Sequence, residues 1–353
     1  MDSNPIVEII DDALCQKMFT GGAIIVIKNG LTILERYFGT LGLSDDRPVD
    51  NNTLFDLASL TKVLATTPCW MKILEEKPDL LDSPLTTWFS QLDSDKRDIT
   101  PRLLMAHSSG LPAWRPYYLY DKGSGHQAFV VERILGESMD YPLAAGSLYS
   151  DLGFILLGQI LEHELKQRLD IACNEVIYAP LRLSHQILFT PSSNDHSIAQ
   201  TRSGDLSGFA NDLNARVLGG VSGHAGLLRT CPGVAELASE FLKSFSKPGG
   251  FFDHEIIKLF VERCRYVPES SRALGFDTKS EEGSSCGSLF SESSFGHTGF
   301  TGTSLWVDPA RGVVVVFLTN RVVMGEPDLR IKSLRPILHD QIIQRLDQVA
   351  SAS

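Results

Sequence analysis

The chain has no run of eighteen or more apolar residues, which argues against a membrane-spanning helix. It lacks any excess of basic charge: 32 Lys and Arg stand against 43 Asp and Glu, for a net charge of −11. Without a Lys/Arg cluster, nucleic acid and anionic membranes are poor partners. The six cysteines (Cys15, Cys69, Cys173, Cys231, Cys264, Cys286) form no C-x-x-C pair, so zinc-knuckle and thioredoxin chemistry are excluded. The first twenty residues lack a basic stretch ahead of an apolar one and carry Glu8, Asp11 and Asp12 inside the apolar pattern, unlike a secretory leader. These features together predict free thiols and a cytoplasmic location. No internal repeat is visible.

What is present suffices for a large buried core: 353 residues, 43% of them hydrophobic, suit one large domain or two interleaved ones. Residues Pro5 to Met18 place Ile6, Ile9, Ile10, Ala13 and Leu14 at helical spacing, with Ser3 or Asn4 available as N-cap. Two β-rich runs, Gly22–Lys28 and Leu31–Phe38, flank Asn29-Gly30, a strong hairpin signal. Thr303–Val307 and Gly312–Thr319 predict two more strands, and Ser333–Val349 a final helix with Leu334, Leu338, Ile342 and Leu346 on one face. The expected fold is α+β: an antiparallel sheet built from both chain ends, residues 1–60 and 290–353, with a mainly helical domain (61–289) inserted between them and the site at the boundary. Two polar stretches, Pro191–Asn214 and Asp277–Ser294, read as cleft rims or as solvated connectors.

Three short motifs carry the chemistry. In the first, Ser59-Leu-Thr-Lys62, residues three apart on a helix share a face, so the Lys62 amine reaches the Ser59 hydroxyl. A serine at a helix start also leaves its N–H free for an oxyanion. Lysine must be neutral to act as a base, and Pro68 limits how far this helix runs without a kink. Alone, the pair equally fits an N-cap and a surface cation. About ninety residues on, Tyr149-Ser150-Asp151 precedes an apolar helix. Asp151 is a candidate cap there, and Tyr149 a proton relay or base. About a hundred and fifty residues further, glycines flank His297 in Gly296-His297-Thr298-Gly299, as close approach of a ligand to a strand requires. The Phe300 N–H is a candidate oxyanion donor, and His297 either binds substrate or tunes Lys62 and Tyr149.

These motifs, in this order, with Phe55–Lys62, Leu103–Pro112 and Gly296–Arg321 around them, make the chain resemble the serine β-lactamase and penicillin-binding-protein superfamily, on the branch of class C β-lactamases, DD-peptidases and β-lactamase-like esterases. The resemblance spans about Ala23 to Arg321. It implies an antiparallel sheet flanked by helices, an all-helical domain beside it and a site between the two. It further implies Ser59 as acylated nucleophile, Lys62 and Tyr149 sharing base and acid roles, and an oxyanion hole from the N–H groups of Ser59 and Phe300. Water would hydrolyse the acyl-enzyme, with no metal or organic cofactor. The partner would be a small acyl substrate: an ester, an amide or a β-lactam.

Two departures bear on the substrate. Asp151 stands where many relatives have Asn, and an ionised carboxylate accepts where an amide also donates. His297 stands where many have Lys, which removes a permanent cation for a substrate carboxylate. An esterase or amidase is therefore the first expectation, a DD-peptidase or class C-type β-lactamase the second, and a penicillin-binding sensor without turnover the third. Four glycines in Gly219–Gly226 point to tight backbone packing, with His224 a candidate for lining the cleft. His107 reads as structural, and Trp114, Tyr117 and Tyr118 as an acyl pocket, a lid or packing.

Overall fold

The computed structural model describes residues 4–120, 126–184, 187–190, 197–201 and 208–352. Strands β1 (Gly21–Lys28), β2 (Leu31–Gly39), β3 (Phe55–Asp56), β4 (Ile187–Phe189), β5 (Leu227–Arg229), β6 (Asp277–Thr278), β7 (Phe295–Thr298), β8 (Ser304–Asp308) and β9 (Val313–Thr319) form two sheets. The larger sheet is antiparallel with order β2-β1-β9-β8-β7-β6, so strands from the two chain ends meet at β1 and β9. Asn29 and Gly30 turn the first hairpin with φ of 51° and 79°, the left-handed pair that a two-residue turn demands. All seven residues of β9 are buried, as expected of a central strand covered on both faces.

One face of the sheet is covered by the two terminal helices. Pro5–Cys15 is capped by Asn4, whose side chain accepts from the Ile6 N–H. It buries Ile6, Ile10 and Ala13 against Leu334, Leu338 and Ile342 of the helix Ile331–Ala352 and against the sheet. Burial of each isoleucine contributes about 1.5–3 kcal/mol. The other face carries the helix Cys231–Ser246, which lies inside the span expected to be an inserted domain yet packs on β1, β8 and β9. Strand β6 also falls before residue 290. The middle is not purely helical either: β3, β5 and β4 make a small second sheet there. The expected boundary at 289/290 therefore does not coincide with the end of the sheet. The stretch Asp277–Ser294 is no cleft rim. It pairs as β6, buries Cys286 and Phe290, and hangs the N–H groups of Ser288 and Leu289 on the Asp340 carboxylate of the last helix.

The helix that follows Ser59 is irregular. Its turns begin at Leu60, open into a π-turn over Lys62–Thr66, and continue as Thr67–Leu74 past Pro68. Pro68 has no N–H for the Leu64 carbonyl four residues back. That carbonyl is satisfied from outside the helix by the Tyr178 hydroxyl at 2.8 Å. The six cysteines are free thiols, with the Sγ atoms of Cys69 and Cys173 3.2 Å apart. No helix among the described residues is long and apolar enough to cross a membrane.

Candidate active site

A cavity of about 430 Å³ opens at Ser59. Ala58, just before it, has φ +46°, a left-handed conformation costing a non-glycine residue on the order of 1–2 kcal/mol. The Asp56 carboxylate holds it there by accepting the Ala58 N–H at 2.8 Å, and its other oxygen accepts the N–H of Asn211, a cavity-lining residue, at 2.5 Å. Burial raises the Asp56 pKa to about 6 in spite of those two N–H donors.

The same segment is tied to the turn that carries Phe300. The hydroxyls of Thr301 and Thr303 donate to the carbonyls of Asp56 and Leu57, at 2.7 and 3.1 Å. From below, Arg335 donates to the carbonyls of Gly299 (3.0 Å) and Thr303 (2.7 Å), and Arg321 to that of Phe300 (2.9 Å). The nucleophile candidate and the expected oxyanion donor are thus cross-braced. The glycines around His297 permit close approach within the fold itself, Gly299 against the nucleophile segment and Gly296 against its neighbouring strand β8. A Cβ on Gly299 would sit 2.5 Å from the Leu57 carbonyl oxygen, and one on Gly296 2.2 Å from that of Leu305.

Lys62 is fully buried and donates to three acceptors: Ser59 Oγ (3.1 Å), Asp151 Oδ1 (2.7 Å) and the His224 carbonyl (3.0 Å). Burial pushes its pKa down, but Asp151 and Tyr149 outweigh it and leave the ammonium above its ordinary value. Lys62 thus rests beside a counter-ion and must give up a proton before it can act as a base. Asp151 is not the cap of its helix. Ser150 is the N-cap of Asp151–Leu165, its Oγ accepting the Gly153 N–H and donating to the Pro112 carbonyl. Asp151 is left free to face Lys62.

Tyr149 lines the cavity with its hydroxyl buried and without a hydrogen bond of good geometry; Lys62 and Ser59 are its polar neighbours. Burial raises the phenol against the pull of Lys62. Its ring packs between His107 (4.6 Å) and His297 (5.8 Å), with the Arg272 guanidinium 5.0 Å from its centre. His107 also accepts the Ser150 N–H at 3.0 Å, so it fixes the second motif in place.

His297 does not line the cavity. It is buried behind Tyr149, its Nδ1 2.7 Å from the Thr298 carbonyl, and burial lowers its pKa to about 4. Of the two roles expected for it, contact with substrate is not what the geometry offers; contact with Tyr149 is. Thr298 and Gly299 likewise stay out of the lining. His224 does line it, with Nε2 2.9 Å from Asp212 Oδ1 and Nδ1 2.8 Å from Ser222 Oγ. The glycine segment around it packs as tightly as expected, since a Cβ on Gly223 would lie 2.1 Å from the Phe154 carbonyl oxygen.

The aromatic cluster divides. Trp114 and Tyr118 line the cavity, whereas Tyr117 is buried and donates to Glu137. Within Pro191–Asn214, residues 191–196 and 202–207 lie outside the described residues, but Asn211 and Asp212 form part of the wall. Sequence reasoning missed Asp212, Glu326, Asp56, Arg272 and Arg335. Asp56 falls inside the Phe55–Lys62 stretch but was given no role there; the others sit in no motif, and only the Asp-Leu-Asn start of a short helix marked Asp212 as a cap.

The comparisons agree with this architecture. A "Putative D-alanyl-D-alanine carboxypeptidase" of Escherichia coli O157:H7 is 29% identical over 84% of this chain and 76% of its own length. An N-acetylmuramyl-L-alanine amidase of Bacillus subtilis (strain 168) is 29% identical over 86% of this chain and 77% of its own. The crystal structure of a class C β-lactamase from Rhodobacter sphaeroides superposes with a TM-score of 0.75 over 98% of this chain and all of its own, at 18% identity, a likeness of fold. With the Beta-lactamase family model matching residues 7–335, the chain belongs to the β-lactamase family and is a serine hydrolase.

Proposed function

We propose that the protein forms an acyl-enzyme on Ser59 and hydrolyses small esters or amides that carry no carboxylate beside the scissile bond. The observation that supports this best is the cavity wall: among its described lining residues none is Lys or Arg, and the third motif offers a buried His297.

Ser59 Oγ bonds to the carbonyl carbon as its proton passes to Lys62, which hands one of its own to Asp151. The N–H groups of Ser59 and Phe300 receive the oxyanion. Collapse breaks the bond to the leaving group, which takes a proton back from the Lys62–Asp151–Tyr149 set. Water then repeats the sequence on the acyl-enzyme, releasing acid and free Ser59. Asp151 thereby acts as the proton store that a protonated lysine needs before it can serve as a base.

A peptidase or β-lactamase is the second reading, favoured by the names of the relatives. Steady-state assays of a short-chain p-nitrophenyl ester and a chromogenic cephalosporin, on the wild type and Ser59→Ala, separate the two. Ser59-dependent turnover of the ester alone supports the first. Comparable kcat/KM on the cephalosporin overturns it in favour of the second.

A further inference from the structure

A second cavity, of about 420 Å³, lies where the start of the first helix, the β1–β2 hairpin and the end of the last helix meet. It shares no lining residue with the cavity at Ser59. Its volume falls in the range of small-molecule sites, about 300–1,000 Å³. Its wall divides by polarity. Ile6, Val26 and Ile342 line it and are buried, while Ile33 and Val349 line it and remain 50% and 56% exposed. Among its described lining residues the charged ones are Lys28 and Arg345, and no carboxylate is present. In a chain of net charge −11, this wall has the opposite sign to the molecule.

Neither cation has a carboxylate partner among the described residues. Lys28 Nζ donates to the Arg311 carbonyl, a neutral acceptor that leaves its charge uncompensated. Arg345 is exposed and makes no ion pair or side-chain hydrogen bond with the described residues. Asp347, two residues further along the same helix, is engaged by Arg311 at 2.7 Å. Asn4 accepts the Ile6 N–H through Oδ1, which leaves its side-chain NH2 as a further donor at the cavity.

An apolar wall with two cations that lack counter-ions complements an alkyl chain with an anionic head. Each methylene removed from water tightens binding about threefold to fourfold, and a guanidinium suits a carboxylate in particular. We infer that this cavity binds a single-chain fatty carboxylate, its chain against Val26 and Ile342 and its carboxylate at Lys28 and Arg345. A free chain fits better than a bilayer surface, because the apolar wall is concave and reaches buried residues. The site is independent of the hydrolase proposed above.

Calorimetric titration of the whole protein with octanoate, octan-1-ol and octyltrimethylammonium tests this, since only the head differs. Octanoate should bind at least about tenfold more tightly than either of the others, and dodecanoate more tightly still. The methyl resonances of Ile33 and Ile342 should shift on titration. The double variant Lys28→Gln/Arg345→Gln should lose at least about tenfold in octanoate affinity while keeping its Ser59-dependent ester turnover. No saturable binding of either carboxylate, equal binding of the ammonium compound, unchanged affinity in the double variant, or shifts that spare Ile33 and Ile342 would each overturn the site. Co-sedimentation with phosphatidylglycerol vesicles without binding of the free chains would overturn it in favour of a bilayer-facing surface.

Discussion

Lys62 Nζ lies 2.7 Å from Asp151 Oδ1, closer than its 3.1 Å to Ser59 Oγ. The amine beside the nucleophile is thus one half of an ion pair, with the lysine side chain fully buried and the aspartate 18% exposed. Removing one partner of such a pair is more consequential than its net contribution to stability, because the other charge is left uncompensated.

Asp151→Asn is expected to change the pH profile as well as the rate. In the wild type Asp151 keeps the Lys62 pKa up and accepts its proton during acylation. With Asn at 151 the lysine loses that counter-charge and must shed its proton to solvent before it can act. The acid limb of kcat/KM then moves to higher pH, with a loss on the order of tenfold or more at neutral pH. A pH–rate series on both proteins checks this, and an unmoved acid limb contradicts the proton-store role.

Lys62→Ala and Tyr149→Phe should each cost on the order of a hundredfold or more in kcat. Tyr149→Phe keeps the ring between His107 and His297, so its folding should be close to that of the wild type. Near-full kcat in both variants would remove them from the proton path.

Tyr178→Phe should destabilise the fold by about 1–3 kcal/mol, because it strands the Leu64 carbonyl that Pro68 leaves open. Urea unfolding of the two proteins measures it. No change in the midpoint would mean that the carbonyl finds another donor.

Acid should weaken the fold between pH 6.5 and 4, where two buried histidines outweigh the buried Asp56, whose carboxyl, raised to about 6, offsets part of the loss. Burial lowers His297 and His339 to about 4, from an ordinary 6.5. The unfolded chain therefore binds protons that the native state refuses between pH 6.5 and 4. The stability that neutral histidines provide is complete above pH 6.5 and is lost as pH falls through that window, by up to about 3 kcal/mol for each. Unfolding midpoints from pH 7.5 to 4.5, with His339→Gln alongside, test the sign. A flat profile would contradict it.

The sequence was most legible where local chemistry decides. Asn29-Gly30 forced the hairpin, buried apolar runs marked β8 and β9, and Ser59 and Tyr149 line one cavity with Lys62 buried against Ser59. It was least legible where function depends on contacts across hundreds of residues. Asp212, Arg335 and Glu326 carry no local pattern that separates them from surface charges. Only the folded chain brings Arg335 under Gly299, or Asp212 beside His224. Asp151 looked like a cap because acidic residues favour helix starts, and Ser150, one residue earlier, took that position.

The most direct test of the account is to label the protein with an active-site-directed fluorophosphonate and locate the adduct by peptide mass spectrometry. The account predicts one stoichiometric adduct on Ser59, absent from Ser59→Ala and strongly slowed in Lys62→Ala. Labelling of another residue, or unchanged labelling of Ser59→Ala, would contradict it.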